Sequence, residues 1–237
     1  MNRYFMAAQN GNVLDIFIYG DITSWEWYES DVSSYTLSKL IQESAAEEII
    51  VRINSYGGEV SEGLAIYNSL KNHPAKVTTI CDGFACSAAS VVFMAGNERI
   101  MNDASLLMIH NAWTFASGNA AELRKAADDL EKISTAAANA YRAVMTIAEE
   151  ELTKLLEEES WILPQEALNY GMATQIKVSG TSDKQQFSAR RKVYEQLVSK
   201  TAAPPAAKKK PDPVVNGICK PKEPSTFEKL FDKFLKQ

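Results

Sequence analysis

The chain has 237 residues, 46% hydrophobic and 23% charged, with a net charge of −5, which suits one large domain plus an appendage or two modest domains. It contains no apolar run near the roughly 18 residues that a membrane span needs. Its start, Met1-Asn2-Arg3-Tyr4-Phe5-Met6, passes into polar Gln9-Asn10-Gly11-Asn12 without the apolar core of a signal peptide, so a soluble, cytoplasmic protein is expected.

The charge is unevenly placed. Residues 181–237 carry 13 Lys/Arg against 6 Asp/Glu, whereas residues 1–180 carry 12 against 24. An acidic body and a basic tail imply two parts with different partners. Cys81, Cys86 and Cys219 form no CxxC pair, which indicates neither a metal site nor a disulfide framework. Cys86 reads as a small buried hydrophobe rather than a thiol nucleophile.

Taken in order, Val13 to Tyr19 is a strand-like run ended by Gly20-Asp21. Tyr35 to Ala46 has helical spacing, with Leu37, Leu40 and Ile41 on one face. The β-branched run Glu48 to Asn54 is a strand that leads into Ser55-Tyr56-Gly57-Gly58, and Val60 to Lys71 follows as a helix. After His73-Pro74, Lys76 to Cys81 reads as a strand with a turn at Asp82-Gly83. Ala85 to Ala95 suits a closely packed helix, and Glu98–Met101 and Ser105–His110 two more strands. This alternation argues for an α/β fold with a largely parallel sheet, whose site lies where strand ends turn into helices. Gly57-Gly58 and the segment 83–87 occupy such positions.

Residues 119–156 read as one long alanine-rich helical region. Asn119 is its cap, and Leu123, Ala126, Ala127, Leu130, Ile133 and Ala137 follow at helical spacing. It packs either as an ordinary core helix or between subunits. Thr201 to Pro224 holds six of the eight prolines and reads as part of a charged, Pro-rich linker over 181–224. Residues 225–237 recover amphipathic spacing, with Phe227, Leu230, Phe231 and Phe234 on one face and a capping-box pattern at Ser225 and Glu228. That short helix either docks elsewhere or folds back on its own domain.

The chemistry concentrates on Ser87 and His110. A serine hydroxyl is a poor nucleophile until a base takes its proton, and histidine has the pKa for that task. The chain has only two histidines; His73 sits beside Pro74 in a loop, which leaves His110 as the base. Covalent acyl chemistry also needs a group to hold the imidazole and backbone N–H donors for an oxyanion. Gly57 or Gly58 offers bare backbone after a strand, and Ala88 offers an amide at a helix start.

Three segments, Ile53-Asn54-Ser55-Tyr56-Gly57-Gly58-Glu59-Val60, Gly83-Phe84-Ala85-Cys86-Ser87-Ala88-Ala89-Ser90 and Met108-Ile109-His110-Asn111, resemble the signature segments of the Clp protease proteolytic subunit (ClpP) family, in the same order and at comparable spacing. Trp161 to Gly171 resembles the segment that follows that family's acid, and the likeness covers residues 13–178. The resemblance implies an α/β, ClpP/crotonase-like fold of repeated β-β-α and βαβ units with a protruding long helix, followed by a flexible C-terminal tail. It implies a serine protease domain over 1–180 and no cofactor. Ser87 falls on the nucleophile, His110 on the base, and the amides of Gly57 or Gly58 and Ala88 on the oxyanion hole. The acid, usually Asp, falls on Glu159, with Glu157 and Glu158 as competitors. Tyr56 stands where proline is common.

The runs Ala65-Ile66-Tyr67-Asn68, Ser87-Ala88-Ala89-Ser90, Met94-Ala95-Gly96 and Glu159-Ser160-Trp161 resemble the phage branch of that family. This implies an endopeptidase cleaving capsid or scaffold proteins in an assembling prohead, in the host cytoplasm, with the chain forming a homo-oligomeric ring. A housekeeping subunit fed by a separate ATPase is the rival reading, since the chain has no GxxxxGK[ST] loop of its own. A crotonase-like acyl-CoA enzyme and an inactive binding protein are the others. No aromatic residue interleaves the lysines of the Pro-rich stretch 200–222, which argues against nucleic acid.

Overall fold

The structure is a computed structural model that describes residues 7–25 and 31–178. The expected linker at 181–224 and helix at 225–237 lie outside the described residues.

Strands β1 (Ala7–Asn10), β2 (Val13–Ile18), β3 (Glu48–Ser55), β4 (Lys76–Cys86), β5 (Glu98–Asn102) and β8 (Gln175–Lys177) form the main path of the sheet, in that order. Strand β6 (Leu106–Ile109) branches from β4, and β7 (Ser160–Ile162) pairs with β6. The β2–β3, β3–β4, β4–β5, β5–β8 and β4–β6 pairs are parallel; β1–β2 and β6–β7 are antiparallel. The largely parallel α/β sheet read from the alternation is therefore present.

Side chains alternate in and out along each strand. Leu14, Ile16 and Ile18 of β2 and Ile49, Val51 and Ile53 of β3 point inward and are fully buried. Helices α1 (Ser34–Glu43), α2 (Val60–Asn72) and α3 (Ala88–Phe93) supply the facing residues Leu37, Ile41, Ile66, Leu70 and Phe93. These β-branched and leucine positions form one continuous core below the strand ends that carry the glycines and Ser87.

Two expectations change. No turn ends β4 at Asp82-Gly83, because the strand runs on to Cys86 and changes neighbour there. Thr78 to Cys81 pair with β5, and Phe84 to Cys86 pair with β6. Polar partners hold the crossing: Asp82 accepts from Arg52 (2.9 Å), Tyr19 (2.7 Å) and Asn102 (2.9 Å), while Phe84 N–H donates to the Asn54 side chain. Asp-Gly is a turn signal only where nothing else satisfies the backbone; here a third strand does.

The region 119–156 is two helices, α4 (Ala120–Arg142) and α5 (Glu149–Glu157). The break falls among β-branched Val144, Thr146 and Ile147, and the Thr146 amide donates to Tyr170 O at the end of α6 (Pro164–Asn169). Asn119 does cap α4, in a capping box with Glu122. Only Ala138, Ala140 and Tyr141, near its C-terminus, are buried. Leu123 and Ile133 of the apolar stripe remain 44% and 42% exposed. Among the described residues, no helix is long and apolar enough to cross a membrane.

Candidate active site

Ser87 joins β4 to α3 with φ 52° and ψ −124°. A serine with positive φ is uncommon, and a sharp strand-to-helix turn of this kind lifts a nucleophile out of the sheet. The turn is tied down on both sides. Ser87 N–H donates to Met108 O of β6 (2.8 Å), and its carbonyl accepts from the amides of Ser90 and Val91.

The bond to Met108 also explains the approach of His110. The β4–β6 register ends with Cys86 opposite Met108, so the next residues of both chains leave the sheet side by side. His110 Nε2 lies 2.7 Å from Ser87 Oγ. The following residues are anchored as well, Asn111 N–H to Leu156 O and Ala112 N–H to Ser134 Oγ. Two residues 23 positions apart are thus brought into hydrogen-bond contact by strand register.

Gly57 and Gly58 sit against this turn. Their φ angles, 97° and 142°, are positive. A Cβ on Gly57 would lie 2.5 Å from Cys86 O and 2.9 Å from Ala88 N, and one on Gly58 would lie 2.0 Å from Ile22 O. Only glycine permits this backbone approach. The two amides differ. Gly57 N–H donates to Ser55 Oγ (3.0 Å), and Ser55 in turn bonds Gly20 O. No described group accepts from Gly58 N–H, and Ala88 N–H opens α3, where helix amides lack internal acceptors.

Ser87, His110, Gly58 and Ala88 line a cleft of about 630 Å³. Val60, Val91 and Met108 form part of its apolar wall, and Glu59 lies on its polar side. The Glu59 carboxylate accepts from the Ser24 amide (3.1 Å), the Ser24 hydroxyl (2.9 Å) and the Thr23 hydroxyl (3.0 Å). The Ser24 amide above all, with those hydroxyls, holds its pKa below the usual glutamate value. Burial pushes the Cys86 thiol up to about 11 and the Cys81 thiol to about 12, so neither is a ready thiolate. Cys86 is fully buried, as the small-hydrophobe reading requires.

The third expected member stands apart. Glu159 lies on the turn between α5 and β7, with φ 51°, and is exposed. Among the described residues no hydrogen bond joins Glu159, Glu157 or Glu158 to His110. Glu158 faces Lys154 at 3.8 Å instead. The structure therefore assembles Ser87, His110, Gly58 and Ala88 and leaves the carboxylate outside. Sequence reasoning missed the Ser55 lock on Gly57, the Glu59 clip and Tyr141, which reaches the cleft from α4. Only Glu59 carried a signal, as the residue directly after the glycine pair.

The Clp protease family pattern matches residues 9–180. The ATP-dependent Clp protease proteolytic subunit of Deinococcus radiodurans is 33% identical over 153 residues, 62% of this chain and 75% of that protein. The subunit of the same name from Bacteroides thetaiotaomicron is 28% identical over 192 residues, 75% and 86% of the two chains. That of Borreliella afzelii is 28% identical over 165 residues, 69% and 82%. With the fold, the Ser87–His110 contact and a match over most of its length, this chain belongs to the Clp protease family, a family of serine endopeptidases that act on protein substrates and form oligomeric rings.

Proposed function

We propose that this chain is a serine endopeptidase whose nucleophile is Ser87 and whose general base is His110. The observation that carries the reading is the 2.7 Å contact between His110 Nε2 and Ser87 Oγ at the mouth of a cleft. As Oγ attacks the scissile carbonyl carbon, Nε2 takes its proton. The carbonyl oxygen becomes an oxyanion that accepts from the Gly58 and Ala88 amides. The imidazolium then protonates the leaving amine, and water, activated by the same nitrogen, hydrolyses the acyl-enzyme. Gly57 serves by close packing, because its own amide is already bonded to Ser55. Glu159 completes the triad once its turn carries the carboxylate to Nδ1. A fluorophosphonate probe tests this part: labelling of wild type but not of Ser87→Ala is expected, and equal labelling of both would sink it. The contact also favours this chemistry over a crotonase-like acyl-CoA enzyme, which needs no such pair.

We further propose that its substrates are capsid or scaffold proteins cleaved in an assembling prohead, with the chain in a homo-oligomeric ring. The basic, proline-rich residues 181–237, beyond the matched segment, support this reading as a tether to the shell. The names of the relatives favour the second reading, a subunit supplied with substrate by a separate ATPase. Incubation with a purified phage capsid protein, without ATP, separates the two. Specific cleavage products by mass spectrometry, missing with Ser87→Ala, are expected; an intact capsid protein overturns the capsid reading.

A further inference from the structure

Beneath the Ser87 turn lies a pair of hydroxyls that the steps above leave unused. Ser90 Oγ is 2.6 Å from Ser87 O and 2.7 Å from the Tyr141 hydroxyl. The Ser87 carbonyl has no proton to give, so Ser90 spends its single hydroxyl proton on that bond. Tyr141 must then donate to Ser90, and the chain of bonds runs from Tyr141 O–H to Ser90 Oγ and on to Ser87 O. Both residues are buried, Ser90 at 0% exposure and Tyr141, which borders the cleft, at 1%. Tyr141 comes from the last turn of α4 and Ser90 from the first turn of α3.

The Ser87 carbonyl and the Ala88 amide belong to one peptide unit, and a peptide unit is planar with its C=O and N–H opposed. Fixing the carbonyl downward fixes the Ala88 N–H upward, toward the cleft. The carbonyl receives three donors: the Ser90 amide (2.9 Å), the Val91 amide (3.3 Å) and, shortest of the three, the Ser90 hydroxyl. The backbone at Ser87 is in a region that side chains rarely occupy, so this peptide stays in place only while such bonds hold it.

We propose that Ser90 and Tyr141 are positioning residues that, through the Ser87 carbonyl, aim the Ala88 amide at the developing oxyanion; this rests on the serine-endopeptidase reading above. Neither touches the reacting atoms through its hydroxyl. Their contribution is orientation, which is felt in the transition state more than in substrate binding.

The test compares Ser90→Ala, Tyr141→Phe and the double variant, each in the full chain. Each single variant is expected to lower kcat about tenfold with KM within about twofold. Ser90→Ala also strands the buried Tyr141 hydroxyl and lowers Tm, whereas the double variant removes both polar groups and recovers Tm. Because the two act in series, the double variant should lose about as much kcat as either single one, not the product. Recovery of kcat along with Tm would overturn the proposal, as would a change confined to KM. If wild type is not labelled by the fluorophosphonate at Ser87, the endopeptidase reading fails, and the hold on the turn is then judged by hydrogen exchange. Faster exchange of the Ser90 and Val91 amides in the double variant, about tenfold, supports the hold; unchanged exchange overturns it.

Discussion

Ser87 with His110, and Glu159, were expected to form one catalytic unit, yet the fold treats them differently. The pair is set by a buried parallel ladder: β4 and β6 end in register, and a backbone bond from Ser87 to Met108 locks the exit of both chains. Glu159 sits on an exposed turn between a surface helix and a three-residue strand. The contrast is that Ser87 and His110 are positioned by the core, whereas the Glu159 carboxylate is positioned by whatever holds one surface turn.

The most direct way to break that contrast is to remove each member in turn. Ser87→Ala and His110→Ala are expected to lower peptide hydrolysis by about 10⁴-fold or more, as loss of a nucleophile or base does elsewhere. Gly57→Ala comes next, with a loss of about 10²- to 10³-fold, because its Cβ collides with Cys86 O and the Ala88 amide and displaces an oxyanion donor. Its circular dichroism should stay native-like while Tm falls. Wild-type turnover in Gly57→Ala would mean that the close approach has no part in the reaction. Glu159→Gln, a surface change, should cost about 10- to 100-fold and leave Tm in place, a smaller penalty than a fully engaged triad acid carries. A loss equal to that of His110→Ala would mean that Glu159 is as firmly engaged as the base.

The same contrast governs what could be read from the residues. Runs such as Glu48–Ser55, with β-branched Ile49, Val51 and Ile53 at successive inward positions, declare a strand and its buried face together. Strand-end glycines and a serine before a run of small residues mark the place of the site for the same reason. What escaped depends on partners distant in sequence. The supposed turn at Asp82-Gly83 became a continuous strand because Arg52, Tyr19 and Asn102 satisfy the aspartate. The helical region 119–156 broke because Tyr170 captures the Thr146 amide. Tyr141 looked like one more helix residue, since nothing local reveals that its hydroxyl meets Ser90 fifty-one positions away.

The smallest expected effect concerns the cleft's outer wall. Glu59 clips residues 23 and 24 to the start of α2, and those bonds to the ionised carboxylate depress its pKa below the ordinary 4.5. For a group with a depressed folded pKa, the stabilising contribution is complete above the unfolded value. It is lost as the pH falls through the folded value. The Ser24 amide should therefore be held at pH 6 and released only as the pH falls through the folded value, which lies below 4.5. Because Glu59 is largely solvated, salt and water screen the effect, and global Tm should scarcely register it. Hydrogen exchange compared with Glu59→Gln at each pH isolates the clip: the variant's Ser24 amide should exchange faster than wild type at pH 6 and equally fast in acid. Equal exchange at both pH values would mean that the wall beside Gly58 is held by its backbone bridge from Ile22 to Gly57 and Glu59 alone. In that case the polar side of the cleft, like Ser87 and His110, would owe its position to main-chain register rather than to a surface carboxylate.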